Sequence, residues 1–176
     1  MEYIVVGCRS LVALVFLISA VSKLRDRRSY AGFVAATQRL GPRRVVARHG
    51  RPLAAAIVAA ELAVPALLLL PATAPAGFGL AVVLLTGFTV AVLTALRRGE
   101  RAPCHCFGAT SEPVGRGQVV RNVLLGIVAL LGMAVGPIAG AAPDLAGAMA
   151  AVVTGGVIAV LVAAAEDIAD LFRSPA

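Results

Sequence analysis

The most reactive stretch of this 176-residue chain is Ala-Pro-Cys-His-Cys-Phe-Gly at 102–108, where Cys104 and Cys106 flank His105. Thiolate is the form of cysteine that attacks a disulfide or binds a metal, and neighbouring positive charge favours it. Arg97, Arg98, Arg101 and His105 bring that charge close in sequence. A Cys-x-Cys bridge is sterically demanding, because an extended chain sets the two Cα atoms about 7 Å apart, at the limit for a disulfide. The chain must bend to close it, and a strained bridge is easily reduced, which suits exchange rather than stapling. Two other readings stand beside redox exchange. In one, the thiols are reduced and inert. In the other they bind a metal, but three adjacent residues alternate in direction and cannot all face one ion, and zinc ligands are usually spaced two to four residues apart within a pair. His49, in a different loop, is one remote histidine that could complete such a set. The sequence calls for no metal and no other cofactor.

Four further residues stand out because of where they sit. Glu61 falls in the middle of an apolar stretch, where an ionisable group costs several kcal/mol unless it is paired or protonated. It either handles a proton inside a bundle or is the buried partner of Arg9, Ser19, Ser22 or Lys23. Lys23, Arg121 and Asn122 flank apolar stretches, where snorkelling and helix-end hydrogen bonding suffice to explain them. They could equally line a pocket that holds Cys104, His105 and Cys106. Cys8, the third cysteine, reads as a buried bystander, and three cysteines make no disulfide scaffold.

The elements that must position these groups are membrane helices. The chain is 60% hydrophobic and only 14% charged, whereas a soluble domain is nearer half apolar and a quarter charged. Five apolar segments, about 4–24, 53–70, 78–96, 119–141 and 145–165, each approach the roughly 20 residues that a helix needs to cross hydrocarbon. The fold expected is all-α: one integral membrane domain over 1–176, an antiparallel bundle of four core transmembrane helices with a fifth span. Residues 10–22 imitate the apolar core of a secretory signal, but the leader has no clear basic region, so a retained first span is expected. The net charge of +7 does not mark a nucleic-acid binder, since the bases adjoin apolar spans and aromatic residues are only 5%.

The connections give an orientation. Residues 71–77 and 136–144 read as short hairpins, whereas 23–52 and 97–121 hold nearly all the arginines. Both basic segments follow an odd number of spans, so the positive-inside rule places both in the cytoplasm. Segment 25–52 interleaves Tyr30, Phe33, Val34 and Leu40 with arginines, which suggests one or two short interfacial helices punctuated by Pro42 and Pro52. The Gly- and Ala-rich fifth span has the composition of closely packed helices.

Ser22-Lys23-Leu24-Arg25-Asp26 closing the first span, Glu61 in the second, Cys104-x-Cys106-Phe107-Gly108 after the third and Arg121-Asn122 opening the fourth together resemble the MauE family, named for methylamine utilisation and related to DoxX-like membrane proteins. The likeness in layout covers nearly the whole chain, and the cysteine segment followed by Arg-Asn is its most specific part. It implies a bacterial inner-membrane, multi-pass protein acting beside a thioredoxin-like partner on a client that contains disulfides. Cys104 and Cys106 would then be the exchanging pair, with Glu61, Lys23, Arg121 and Asn122 gathered around it. His105 takes its role from chemistry alone, as a group that lowers the thiol pKa. The family name does not identify the client, and maturation of exported proteins sits awkwardly with a cytoplasmic cysteine loop. The function expected is a thiol–disulfide redox or maturation accessory, of oxidoreductase type if it is an enzyme. The alternative is a non-catalytic membrane scaffold or small-molecule carrier, with the cysteines structural or metal-binding and Glu61 serving transport.

Overall fold

The computed structural model describes residues 2–40, 43–98, 116–136 and 145–171. Among these residues there are six helices and no strand: α1 Glu2–Leu24, α2 Arg27–Leu40, α3 Arg43–Leu69, α4 Ala74–Arg97, α5 Arg116–Val135 and α6 Leu145–Leu171. Hydrocarbon offers the backbone no hydrogen-bond partner, so a long apolar run satisfies its own N–H and C=O groups by coiling into a helix. All but α2 are long and apolar enough to cross a bilayer, over Glu2–Leu24, Gly50–Leu69, Ala74–Arg97, Gly117–Val135 and Leu145–Val162. The all-α membrane bundle expected from the sequence is therefore found, and the fifth span stands with the other four.

The boundaries differ from expectation in two places. The arginine-rich segment forms one separate amphipathic helix, α2, and its remainder continues into the second span as α3. Pro52 lies inside α3 rather than punctuating it, as does Pro65. The first hairpin is shorter than 71–77, because α4 already begins at Ala74 with a proline in its first turn, where its missing N–H costs nothing.

α1 is the central element and packs against α2, α3, α5 and α6, while α4 joins α3 to α5. Its buried face carries Leu11, Val12, Val15, Phe16, Ser19, Ala20 and Lys23, a helical periodicity that turns polar only at the end. Phe16, Phe78, Leu85 and Val92 fill the centre with Val12, Val15 and Val64. At the far end, Arg9 turns inward and donates to the carbonyls of Leu68 and Leu69. The Thr73 hydroxyl donates to the Leu67 carbonyl at 2.6 Å. The last carbonyls of α3, orphaned by the helix end, thus gain donors that lipid cannot supply. α6 lies close on α1: a Cβ at Gly155 would stand 2.9 Å from the Gly7 carbonyl oxygen and 3.2 Å from the Leu11 nitrogen. Absence of a side chain there is what lets the two backbones approach.

Candidate functional site

Ser19 and Lys23 are four residues apart on α1 and so share a face. That face meets α3 at Glu61, with Lys23 only 2% exposed and Glu61 fully buried. The Lys23 ammonium makes an ion pair with Glu61 Oε1 and donates to Ser19 Oγ at 2.9 Å. The Ser19 hydroxyl in turn donates to Glu61 Oε1 at 3.3 Å, which closes a three-membered ring of polar groups. Two aromatic faces complete the surroundings of the cation, Phe33 of α2 with its centroid 4.7 Å from Nζ and Phe88 of α4 at 5.4 Å. A desolvated cation over a ring face gains attraction from the ring quadrupole, so the rings act as more than packing.

α5 adds a second polar group. Gln118, Arg121 and Asn122 lie at i, i+3 and i+4, and all are buried; Asn122 is 2% exposed and Arg121 9%. The same face continues through Leu125 and Ala129 into the hydrophobic core, so it points inward along its length. Arg121 lies near enough to Lys23 for the two positive charges to repel. The carboxylate of Glu61 is thus paired with one cation, Lys23, and Arg121 is a second cation near that lysine. Its Oε2, with Gln118 Oε1 and Asn122 Oδ1, has no hydrogen-bond donor among the described residues. Pro65 adds a further acceptor, because it has no N–H to give the Glu61 carbonyl one turn earlier.

Of the sequence-derived candidates, Lys23 and Glu61 meet directly, Arg121 lies near Lys23, and Asn122 is buried on the α5 face that carries Arg121. Lys23, Arg121 and Asn122 do not snorkel to the boundary; each turns inward, because the bundle holds a carboxylate and hydroxyl for Lys23 and a buried polar face on α5. Arg9 and Ser22, considered as partners of Glu61, bond elsewhere: Arg9 to α3 carbonyls as above, and the Ser22 hydroxyl to the Ser19 carbonyl at 2.8 Å. Cys8 is half-buried against the core. It stands sixteen residues before the end of α1, about 24 Å along the axis from the Lys23 end. Cys104, His105 and Cys106 lie outside the described residues.

The helix ends nevertheless fix which side their segment joins. α1 and α3 are antiparallel, since Arg9 meets Leu68 while Lys23 meets Glu61. α4 and α5 are antiparallel as well, with Phe78 near the start of one packed by Gly132 near the end of the other. Arg97 and Arg116, between which the cysteines lie in sequence, are thus at the Lys23 end of the bundle. Gln118 through Asn122 begin only about 3 Å below the start of α5.

Gln118, Phe33 and Phe88 were not anticipated as part of the centre. Gln118 carried a signal, one helical turn before Arg121 and Asn122 and hence on their face. Phe88 carried none, because a phenylalanine in an uncharged span looks the same whether it faces lipid or a buried ammonium.

Residues 1–135 match the family described as Methylamine utilisation protein MauE, and the chain belongs to that family. The matched region runs through α5, so it includes every member of the polar centre and the Cys104–Cys106 segment, and α6 lies beyond it. No curated protein and no solved structure matches the chain.

Proposed function

We propose that this MauE-family, multi-pass membrane protein is a thiol–disulfide exchange or redox-maturation accessory of the bacterial inner membrane, working with a thioredoxin-like partner on disulfide-containing clients. One thiolate of the Cys104–Cys106 pair attacks a sulfur of the partner disulfide. That S–S bond breaks, a mixed disulfide forms, and the partner's second sulfur leaves as a thiolate. The other cysteine then attacks the mixed disulfide, releasing the partner as a dithiol and leaving Cys104–Cys106 oxidised. The two electrons lost by this pair are those the partner gains, and the reverse sequence oxidises the partner instead. His105 and the adjacent arginines favour thiolate.

The observation that carries this reading is the buried Ser19–Lys23–Glu61 centre at the end of the bundle where α4 stops and α5 starts. Ionisable groups within a membrane span are expensive, so a buried set of them is a functional-site candidate by default. Here Glu61 serves as the proton-handling group, and Lys23, Arg121 and Asn122 hold the site around the exchanging pair. The test uses Cys104→Ser and Cys106→Ser in cells that express the partner. One variant should accumulate a mixed disulfide, visible as a reducible higher-mass species, and the other should form none. Client oxidation unchanged in both variants rules the reading out.

A second reading, a small-molecule carrier or scaffold, draws on the buried acceptor oxygens of Glu61, Gln118 and Asn122, which a solute's donors would meet. Glu61→Gln with both cysteines intact separates the two: transport fails under the carrier reading, while thiol exchange survives at least in part under the redox reading.

A further inference from the structure

A groove of about 550 Å³ opens on the outside of the bundle where α1 ends, α2 begins and α3 enters its span. Its volume falls in the range of roughly 300–1,000 Å³ usual for ligand sites. Arg27, Tyr30 and Val34 of α2 line one wall, Leu24 and Asp26 the α1 end, and Arg51 the opposite wall on α3. Arg27, Tyr30 and Val34 fall at i, i+3 and i+7, one face of α2. The height of the groove is set by the spans on either side: the first ends at Leu24 and the second starts at Gly50. It therefore sits at the boundary between hydrocarbon and water.

We propose that this groove binds the phosphodiester headgroup of an anionic phospholipid. Arg27 and Arg51 are both exposed, and neither makes a hydrogen bond or ion pair with any described residue. Guanidinium is planar and forks onto phosphate oxygens bidentately, so two arginines across a groove suit a phosphodiester better than two point charges would. The Asp26 carboxylate also lines the site, but both its oxygens are engaged by Ser29, with the backbone N–H at 2.7 Å and the hydroxyl at 3.0 Å. Two arginines against one acid leave the groove net positive. The source of the phosphate follows from what lies below. Leu17, Val21 and Leu24 are 40%, 55% and 50% exposed at i, i+4 and i+7 on α1. They form an apolar stripe from the groove into the span, along which acyl chains of the same lipid run. A free phosphate has no use for that stripe. The site is separate from the cysteine chemistry and stands whether or not Cys104 and Cys106 exchange.

The test titrates full-length, delipidated protein in detergent with phosphatidylglycerol or phosphatidylcholine of matched chains, read by native mass spectrometry. Wild type should retain phosphatidylglycerol in preference to phosphatidylcholine, and excess inorganic phosphate should not displace it. R27Q/R51Q should weaken phosphatidylglycerol binding about 25-fold, the product of roughly fivefold for each basic charge lost near an anionic surface. R25Q/R28Q removes the same charge from exposed positions outside the groove and should leave binding within about threefold of wild type. R27E gives a second variant that keeps its helix, since an acid in the first turn is favoured by the helix dipole, and it should bind no phosphatidylglycerol. Equal loss in R27Q/R51Q and R25Q/R28Q, equal retention of both lipids by wild type, or displacement by inorganic phosphate each overturns the proposal.

Discussion

At the residue scale the chemistry of the centre is decided by what lies around one carboxylate. Glu61 faces Lys23 and Ser19 directly, and Arg121 lies near Lys23. Removing one member of a buried pair leaves the other charge uncompensated, which costs about 3–5 kcal/mol. Lys23→Met and Glu61→Gln should each destabilise the folded bundle by that much, measured by denaturant unfolding in detergent. Replacing both together, as Lys23→Met with Glu61→Gln, removes the stranded charge as well. The double variant should recover much of the loss, and a simple sum of the two single effects would show that the pair is not coupled. Cys104→Ser and Cys106→Ser belong at this scale too. Their trapping and release of a mixed disulfide tests chemistry, not folding, and should proceed without loss of helix content.

At the element scale α2 and α6 are the informative helices. α2 starts where Asp26 accepts from the Ser29 N–H and hydroxyl, an N-cap on a helix too short to persist alone. Those two bonds, the backbone one foremost, hold the Asp26 carboxyl below the usual carboxylate range. A depressed carboxylate contributes stability that is present above its unfolded pKa, about 3.9, and is lost as pH falls through the lower folded value. Protection of the Ser29 and Tyr30 amides from hydrogen exchange, taken relative to the unstructured chain at the same pH, should therefore fall only at acid pH. Asp26→Asn should keep the cap but abolish that pH dependence. α6 makes the opposite kind of contact, in which no polar group is needed. Gly155→Ala places a methyl group against backbone atoms of α1, which cannot swing aside, and should cost about 1–3 kcal/mol. Gly126→Ala, where a Cβ meets nothing within 4 Å, is the matched control and should be neutral or stabilising.

At the scale of the whole molecule the question is which side of the membrane the Lys23 end faces. The arginines of 23–52 and 97–121 favour the cytoplasm, and both segments adjoin that end. A membrane-impermeant maleimide should then label Cys104 and Cys106 only after permeabilisation, with a shift that depends on prior reduction. Labelling from outside in intact cells, after reduction alone, would reverse the orientation. Cys8, half-buried and about 24 Å away along α1, should label weakly under either treatment.

Much of this was legible in the residues in order. Runs of apolar residues near the length of a bilayer have few options but helices, so five spans and their approximate limits follow from composition and length. Glu61 was conspicuous for the same reason: a carboxylate in an apolar run must be met by something, and Lys23 and Ser19 were among its possible partners. Pro52 misled, because in isolation a proline ends a helix, whereas at the membrane boundary α3 carries it within its length. The choice among partners needed three dimensions. Arg9 and Lys23 are both basic residues on α1, yet only the antiparallel pairing with α3 sends Arg9 to the Leu68 and Leu69 carbonyls and Lys23 to Glu61. The inward turn of Gln118, Arg121 and Asn122, and the aromatic walls of Phe33 and Phe88, likewise depend on which helices are neighbours. The sequence by itself determined that the protein is a helical membrane bundle with an acid inside one span, because hydrocarbon imposes its constraints on each span separately. Only the tertiary structure decided which polar groups share one centre, because a side chain's partner in lipid is set by the face its helix presents to the next.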